Sequence, residues 1–432
     1  MLFKSIKIID ENFAVRDDMY VGVKDDKIDY IGTERPAADY GDEYDGRGKL
    51  LMPGFYNAHA HSPMTLMRGY GENLALQSWL NDRIFPFEAE LNGDAVYWGT
   101  KLAMAESVAN GIVSTTDMYY FTDEMVAAYL DSGCKGNISR SITNFLDEDI
   151  FDMDAGKEMK KAFEDHHMAG DGKIRIDMSL HAEYTSTPKT VRQLAEYTRS
   201  IGANQHVHVS ETQTEHRECI ERHGKTPVAY LAENGLFDTP TTAAHCVWIE
   251  GEDYDILKDK GVTVAVNPVS NLKLASGVCN VQALLDRGIN VAIGTDSVAS
   301  NNSLDFLEEM KVFAIASKAR YNNPVVVTPL DTVKAATRGG ALSQGRKDCG
   351  LIKEGFKADL LVLDISGPNM HPVHDLLNNI VYSANASNIR MTMIDGRVLY
   401  KDGEYTTIDV EKTIYNVEKA TGRILSILAE GK

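Results

Sequence analysis

The 432-residue chain is predicted to be an α/β protein, a (β/α)8 barrel of the TIM type with a small β-sandwich domain built from both termini. Three observations carry that expectation. Eight short apolar runs alternate with helical patterns through the middle of the chain, hairpin texture marks both ends, and the eight runs finish on polar residues. A length of 432 residues also exceeds what one simple core holds, so an appended smaller domain is expected.

The N-terminal stretch "LFKSIKIIDENFAVRDDMYVGVKDDKIDYIGT" reads as short strands separated by turn residues. Similar texture returns in "FKADLLVLDI" and "NIRMTMIDGRVLYKDGEY", where Asp395-Gly396 and Asp402-Gly403 are hairpin turns. The two ends are expected to share one sheet. The predicted division is residues 1–54 for the N-terminal part of the sandwich, 55–350 for the barrel, and 351–432 for the C-terminal part with a terminal helix.

In the middle, the candidate strands are "LLMPGFYNA", "IVSTTD", "GNISRSITN", "IRIDMSL", "HVHV", "TTAAH", "VTVAVN" and "INVAIGTD". Helices are expected in "DAVYWGTKLAMAESVANG", with Asp94 as its N-cap, and in "KTVRQLAEYTRSIG", "TPVAYLAENG", "EDYDILKDKG", "VQALLDRG" and "SLDFLEEMKVFAIASKA". The C-terminal strand ends of such a barrel converge on one mouth. That convergence would bring together His59, His61, Asp117, Asn144, His181, His208, His245, Asn267 and Asp296.

Charge and composition narrow the partners. Lys and Arg total 44 against 63 Asp and Glu, a net charge of -19, which disfavours nucleic acid and anionic membranes and leaves small molecules. Five cysteines without a C-x-x-C pair read as thiols of a reducing compartment. The N-terminus lacks the apolar core of a signal peptide, and no run approaches the ~18 apolar residues of a membrane span. A cytoplasmic protein is expected, with a homo-oligomer left open.

His59 and His61, at i and i+2 on a strand, point to one face and can reach one ion. Adding His208 and Asp296 gives three nitrogens and one carboxylate oxygen, a donor set for zinc or iron(II). Glu211, three residues after His208, stands where a proton shuttle is needed, and His245 can orient the same water. Such a metal lowers a bound water's pKa towards neutrality.

The stretches "MPGFYNAHAHSPMTLMRGYGENLALQSWL", "HVHVSET", "AAHCVWI", "NPVSNLKLASG" and "AIGTDSVASNNSLDFLEEM" resemble the amidohydrolase superfamily. The similarity is to its 5′-methylthioadenosine/S-adenosylhomocysteine deaminase branch, near the triazine chlorohydrolases, and it spans nearly the whole chain. The resemblance implies metal ligands at His59, His61, His208 and Asp296, with Asp296 also accepting a proton from the attacking water. It implies Glu211 as acid/base and His245 as the residue that orients the water. The fourth strand ends in "MSLHAEYT" rather than on a lysine, so one divalent ion is expected, zinc before iron.

The same resemblance makes His181 a substrate contact, Trp79 in "LQSWL" an aromatic wall, and Glu88 in "FPFEAEL" the grip on ribose hydroxyls. By its surroundings alone, Trp79 reads equally as a core anchor and Glu88 as a solvated helix residue. Arg140 is the one arginine kept in the otherwise acidic "NISRSITNFLDEDIFDMDAGKEM", which disfavours a carboxylate-bearing tail. The expected reaction is hydrolytic deamination of an adenosine-type nucleoside: 5′-methylthioadenosine, adenosine or S-adenosylhomocysteine. The alternatives are a guanine, cytosine or triazine hydrolase, including a chlorohydrolase, and a non-catalytic barrel scaffold. After His61, Pro63 is expected to turn the chain into a long loop, residues 64–80, over the mouth.

Overall fold

The computed structural model describes residues 1–74 and 76–430, without the side chains of Leu76 and Gln77. The expected loop over 64–80 passes through residue 75, and the expected terminal segment runs on through 431–432; these three positions lie outside the described residues.

Both ends of the chain do share one nine-stranded mixed sheet. Its seam is the antiparallel pairing of strand Lys49–Pro53 with Leu360–Asp364, and Leu2–Ile9 runs parallel to Lys49–Pro53 on the other side. Side chains alternate along the seam. Leu51, Leu360 and Val362 enter a small core with Phe3, Ile6 and Met391, while Leu50, Met52, Leu361 and Leu363 join the barrel's core. Asp395-Gly396 and Asp402-Gly403 both have positive φ at their two residues, the conformation of a tight two-residue hairpin.

Eight parallel strands close the barrel among the described residues: Phe55–Ala60, Ile112–Met118, Lys135–Ser139 with Ser141–Ile142, Ile174–Ile176 with Met178–Leu180, Gln205–Val209, Thr241–His245, Thr263–Val266 and Val291–Ile293. Strands three and four are each interrupted, at Arg140 and Asp177, and pair with each other on both sides of the break. Closure between strands eight and one comes from a bridge between Ala60 and Asp296. Strand eight approaches strand one so closely that a Cβ on Gly294 would lie 2.9 Å from His59 Cβ and 2.3 Å from Asn267 Oδ1. Only glycine fits there.

Two expectations are corrected. "LLMPGFYNA" is not one strand: it splits at Gly54, the first half joining the terminal sheet and the second the barrel. The helix Gly93–Ala109 is capped by Asn92, not Asp94, because Asn92 has the extended backbone a cap needs and its side chain accepts from Ala95 N–H at 3.0 Å. Asp94 lies inside the first turn and accepts from the Trp98 indole.

At the N-terminal end of the barrel, the Lys135 ammonium is buried between Asp359 and Asp395, 2.6 Å from each, and Tyr56 O–H donates to Asp359. This ion network fastens the terminal sheet to the face opposite the strand ends. The last helix, Val410–Glu430, buries Thr413, Val417, Ala420 and Ile424, one helical stripe, against Gly93–Ala109 and the turn Ser62–Met67. No helix among the described residues is long and apolar enough to cross a membrane.

Candidate active site

The strand ends converge as the sequence predicts. His59 lies on strand one and His61 just past it, with ring centroids 4.8 Å apart. His208, on strand five, brings its Nε2 to 3.4 Å from His61 Nε2. Asp296 sits three residues beyond strand eight, and its Oδ1 is 3.6 Å from His59 Nε2 and 3.4 Å from His61 Nε2. His59, His208 and His245 also have donor atoms within 4.8 Å of one another.

Each ring is held from behind. His61 Nδ1 donates to the Met118 carbonyl at 2.6 Å, His208 Nδ1 to the His181 carbonyl at 2.8 Å, and His59 Nδ1 is 2.9 Å from His206 Nε2. The backbone pays locally for this aim. Ser210, His245, Cys246 and Asp296 all have φ between +47° and +74°, a region that costs a non-glycine residue about 1–3 kcal/mol. Ser270 and Ser300 hydroxyls donate to Asp296 Oδ2 at 2.6 and 3.3 Å, leaving Oδ1 towards the imidazoles.

Burial sets the charge state. It pushes His59 down to about 3 and His208 well below the usual imidazole range, so both rings are neutral. His59 Nε2 is buried with no hydrogen-bond partner. Neutral imidazole nitrogens and one carboxylate oxygen, with an orphaned nitrogen among them, form a donor set that fits a divalent transition metal.

Glu211 lies just before helix Gln213–His223, its Oε2 3.9 Å from His245 Nε2, and its Oε1 accepts from Ser276 O–H at 3.3 Å. Burial raises its pKa. The N–H groups of Ser210 and Glu211 both donate to Glu215, at 2.8 and 2.7 Å. Sequence reasoning missed Glu215. Its signal was the capping pattern Thr212-x-x-Glu215, whose acid reaches back past the cap. The side-chain amides of Asn267 and Asn271 flank His245 Nδ1 at 3.1 and 2.9 Å.

Trp79, Glu88, His181, Glu211 and His245 line one cavity over the imidazole cluster. Trp79 is nearly buried within a continuous helical stretch from Leu76 to Glu88, so it is at once a core anchor and a wall of the cavity. Glu88 is not a solvated helix residue: Tyr119 O–H donates to its Oε1 at 2.7 Å and Tyr120 O–H to its Oε2 at 3.4 Å, and burial raises its pKa. The tyrosine pair follows strand two in "DMYYF" and was missed.

Arg140 is not on this wall. It faces an adjoining cavity that shares Phe85, Glu88 and Tyr120, and its guanidinium is spent on Glu158 at 2.9 Å, the Ser141 carbonyl and the face of Tyr120. Asp117 and Asn144 also stay out: Asp117 accepts from Ser62 N–H and Tyr129 O–H, and Asn144 donates to Glu148 and Thr190.

A closed barrel that gathers neutral imidazoles, a carboxylate and a buried glutamate at its strand ends belongs with the metal-dependent barrel hydrolases. The profile of the amidohydrolase family matches residues 50–399, and the chain belongs to that family as one of its hydrolases. It is 36% identical over 428 residues, covering 98% of this chain and 99% of the other, to a 5-methylthioadenosine/S-adenosylhomocysteine deaminase of Thermoanaerobacter pseudethanolicus. It is 38% identical to a 5'-deoxyadenosine deaminase of Methanosarcina mazei, covering 94% and 93% of the two chains. The crystal structure of an adenosine deaminase from Xanthomonas campestris with bound zinc superposes at a TM-score of 0.91, with 29% identity and 98% of each chain covered.

Proposed function

We propose that the protein hydrolytically deaminates adenosine-type nucleosides, with a preference for neutral 5′ groups. The observation that carries this reading is one cavity lined both by Glu211, beside His245, and by the Glu88 carboxylate that Tyr119 and Tyr120 hold. The first carboxyl suits proton transfer to a ring nitrogen, and the second suits a diol. The three relatives above, named for deamination of adenosine-type nucleosides, support it.

A zinc or iron(II) ion, held by His59, His61, His208 and Asp296, would supply Lewis acidity that brings a water's pKa towards neutrality. Glu211, whose pKa burial raises, donates a proton to the ring nitrogen beside the amino-bearing carbon, which makes that carbon electrophilic. His245 orients the water that adds there. Asp296 takes the first proton of this water and passes it to the amino group, which departs as ammonia. The remaining hydroxyl proton returns to Glu211 as the ring carbonyl forms, so the side chains end as they began. Trp79 and His181 position the base, and Glu88 accepts from the ribose hydroxyls.

The preference for neutral 5′ groups rests on Arg140. With Glu158 already on its guanidinium, and Asp147, Glu148 and Asp149 in the same loop, a carboxylate-bearing tail gains no free cation there. The test is ammonia release from adenosine, 5′-deoxyadenosine, 5′-methylthioadenosine, S-adenosylhomocysteine, guanine and cytosine. Turnover of the first three with the lowest KM is expected. Turnover of free bases alone would overturn the nucleoside reading, and S-adenosylhomocysteine as the best substrate would overturn the preference.

A further inference from the structure

We propose that His206 is a positioning residue of the metal site, fixing His59 in the one tautomer that can bind an ion. The inference rests on reading His59 as a ligand. It begins from the way the three ligand rings are held. His61 and His208 each present Nδ1 to a backbone carbonyl, at 2.6 and 2.8 Å. A carbonyl only accepts, so both Nδ1 atoms carry the proton and both Nε2 atoms offer a lone pair towards the cluster.

His59 differs. Its Nδ1 meets His206 Nε2 at 2.9 Å, ring nitrogen to ring nitrogen, with the ring planes 84° apart and both side chains fully buried. A single proton lies between them. If His206 supplied it, the neutral His59 would carry its own proton on Nε2, aimed at its neighbours in the cluster, and the ligand would be lost. If His59 supplies it, Nε2 is free to bind and His206 must be protonated on Nδ1. The two outer nitrogens, His59 Nε2 and His206 Nδ1, are both buried without a hydrogen-bond partner, and a His59 that binds an ion requires the second arrangement.

The first orphan is the lone pair left for the ion, and the second is where the displaced proton goes. A buried imidazole with an unpaired N–H is a poor choice for packing alone. Strand geometry explains its place: His206 and His208 are i and i+2 on strand five, so both point into the barrel, one behind His59 and one beside it. Of the three ring orientations, this is the one a side chain controls, so it is the one substitution can change.

The experiment measures zinc affinity by chelator competition on the full chain, with catalysis left out. Wild type is compared with His206→Gln, which keeps an acceptor near the Nε2 position, and His206→Leu, which keeps none. Zinc Kd is expected to rise about 10–100-fold in His206→Leu and to be largely restored in His206→Gln. Equal affinity in all three would overturn the proposal. Nitrogen-15 NMR of the wild-type imidazoles supplies a second readout independent of whether a variant folds. It is expected to place the proton on Nδ1 of His206 and on Nδ1 of His59, and protonated Nε2 on His206 would overturn the proposal. Failure of wild type to bind zinc, or zinc binding that survives His59→Ala, would instead refute the ligand reading beneath it.

Discussion

Asp296 and His59 are joined twice. The Asp296 N–H donates to the His59 carbonyl at 2.9 Å, which closes the barrel between strands eight and one, and its Oδ1 lies 3.6 Å from His59 Nε2. Closing the fold and assembling the donor cluster are therefore one event. Asp296→Asn keeps the backbone bond and the size of the side chain but removes the charge. Zinc affinity is expected to fall by more than about 100-fold, beyond the loss seen when only the partner of a ligand is removed. Metal analysis after dialysis, beside a melting curve that stays cooperative, checks it.

Glu211→Gln separates proton transfer from metal binding. The glutamine fits the same space between Ser276 and His245 but has no proton to give to a ring nitrogen. A kcat lower by about 10²–10⁴-fold is expected, with zinc content unchanged. Ammonia release with the best nucleoside measures it, and a kcat within a factor of three of wild type would remove Glu211 from the mechanism.

What could be read from the sequence depended on whether the signal was local. Runs of apolar residues ending in His59, His208, His245 and Asp296 announce a barrel mouth because strand periodicity and strand ends are properties of five to nine consecutive residues. Gly54 escaped notice because nothing local tells a strand that continues from two strands that part company between a sheet and a barrel. Tyr119 escaped because its partner, Glu88, is 31 residues away and belongs to another segment. Arg140 was visible as a cation, but its neutralisation by Glu158 is a tertiary contact across 18 residues.

Tyr119→Phe tests the diol grip. Losing the hydroxyl that donates to Glu88 Oε1 at 2.7 Å leaves a buried carboxylate one bond short, a cost of about 1–3 kcal/mol to its ionised form. KM for a riboside is expected to rise about tenfold with kcat little changed, since 1.4 kcal/mol is a factor of ten. A 2′,3′-dideoxyriboside makes no such contact, so its KM should not move. Equal KM increases for both substrates would show that Tyr119 only shapes the cavity.

Glu215 links the mouth to pH. Burial, and then the nearby Glu211 carboxylate, pushes its pKa from 4.5 up to about 7, although the N–H groups of Ser210 and Glu211 favour its ionised form. Between those two values the folded chain keeps a proton that the unfolded chain gives up. Stability from this residue is thus fully present below about pH 4.5 and declines as pH rises through about 7, by about 3 kcal/mol in all. Glu215→Gln removes the titration, so its unfolding free energy should lack that decline. Urea unfolding of the zinc-free protein at pH 5 and pH 8 measures the difference. Activity should move the other way, because only the carboxylate accepts with both oxygens and holds the turn that carries Glu211. In wild type kcat should therefore gain a component that rises through about pH 7, and in Glu215→Gln that component should vanish. An unchanged stability slope in the variant would mean that Glu215 is already ionised throughout this range.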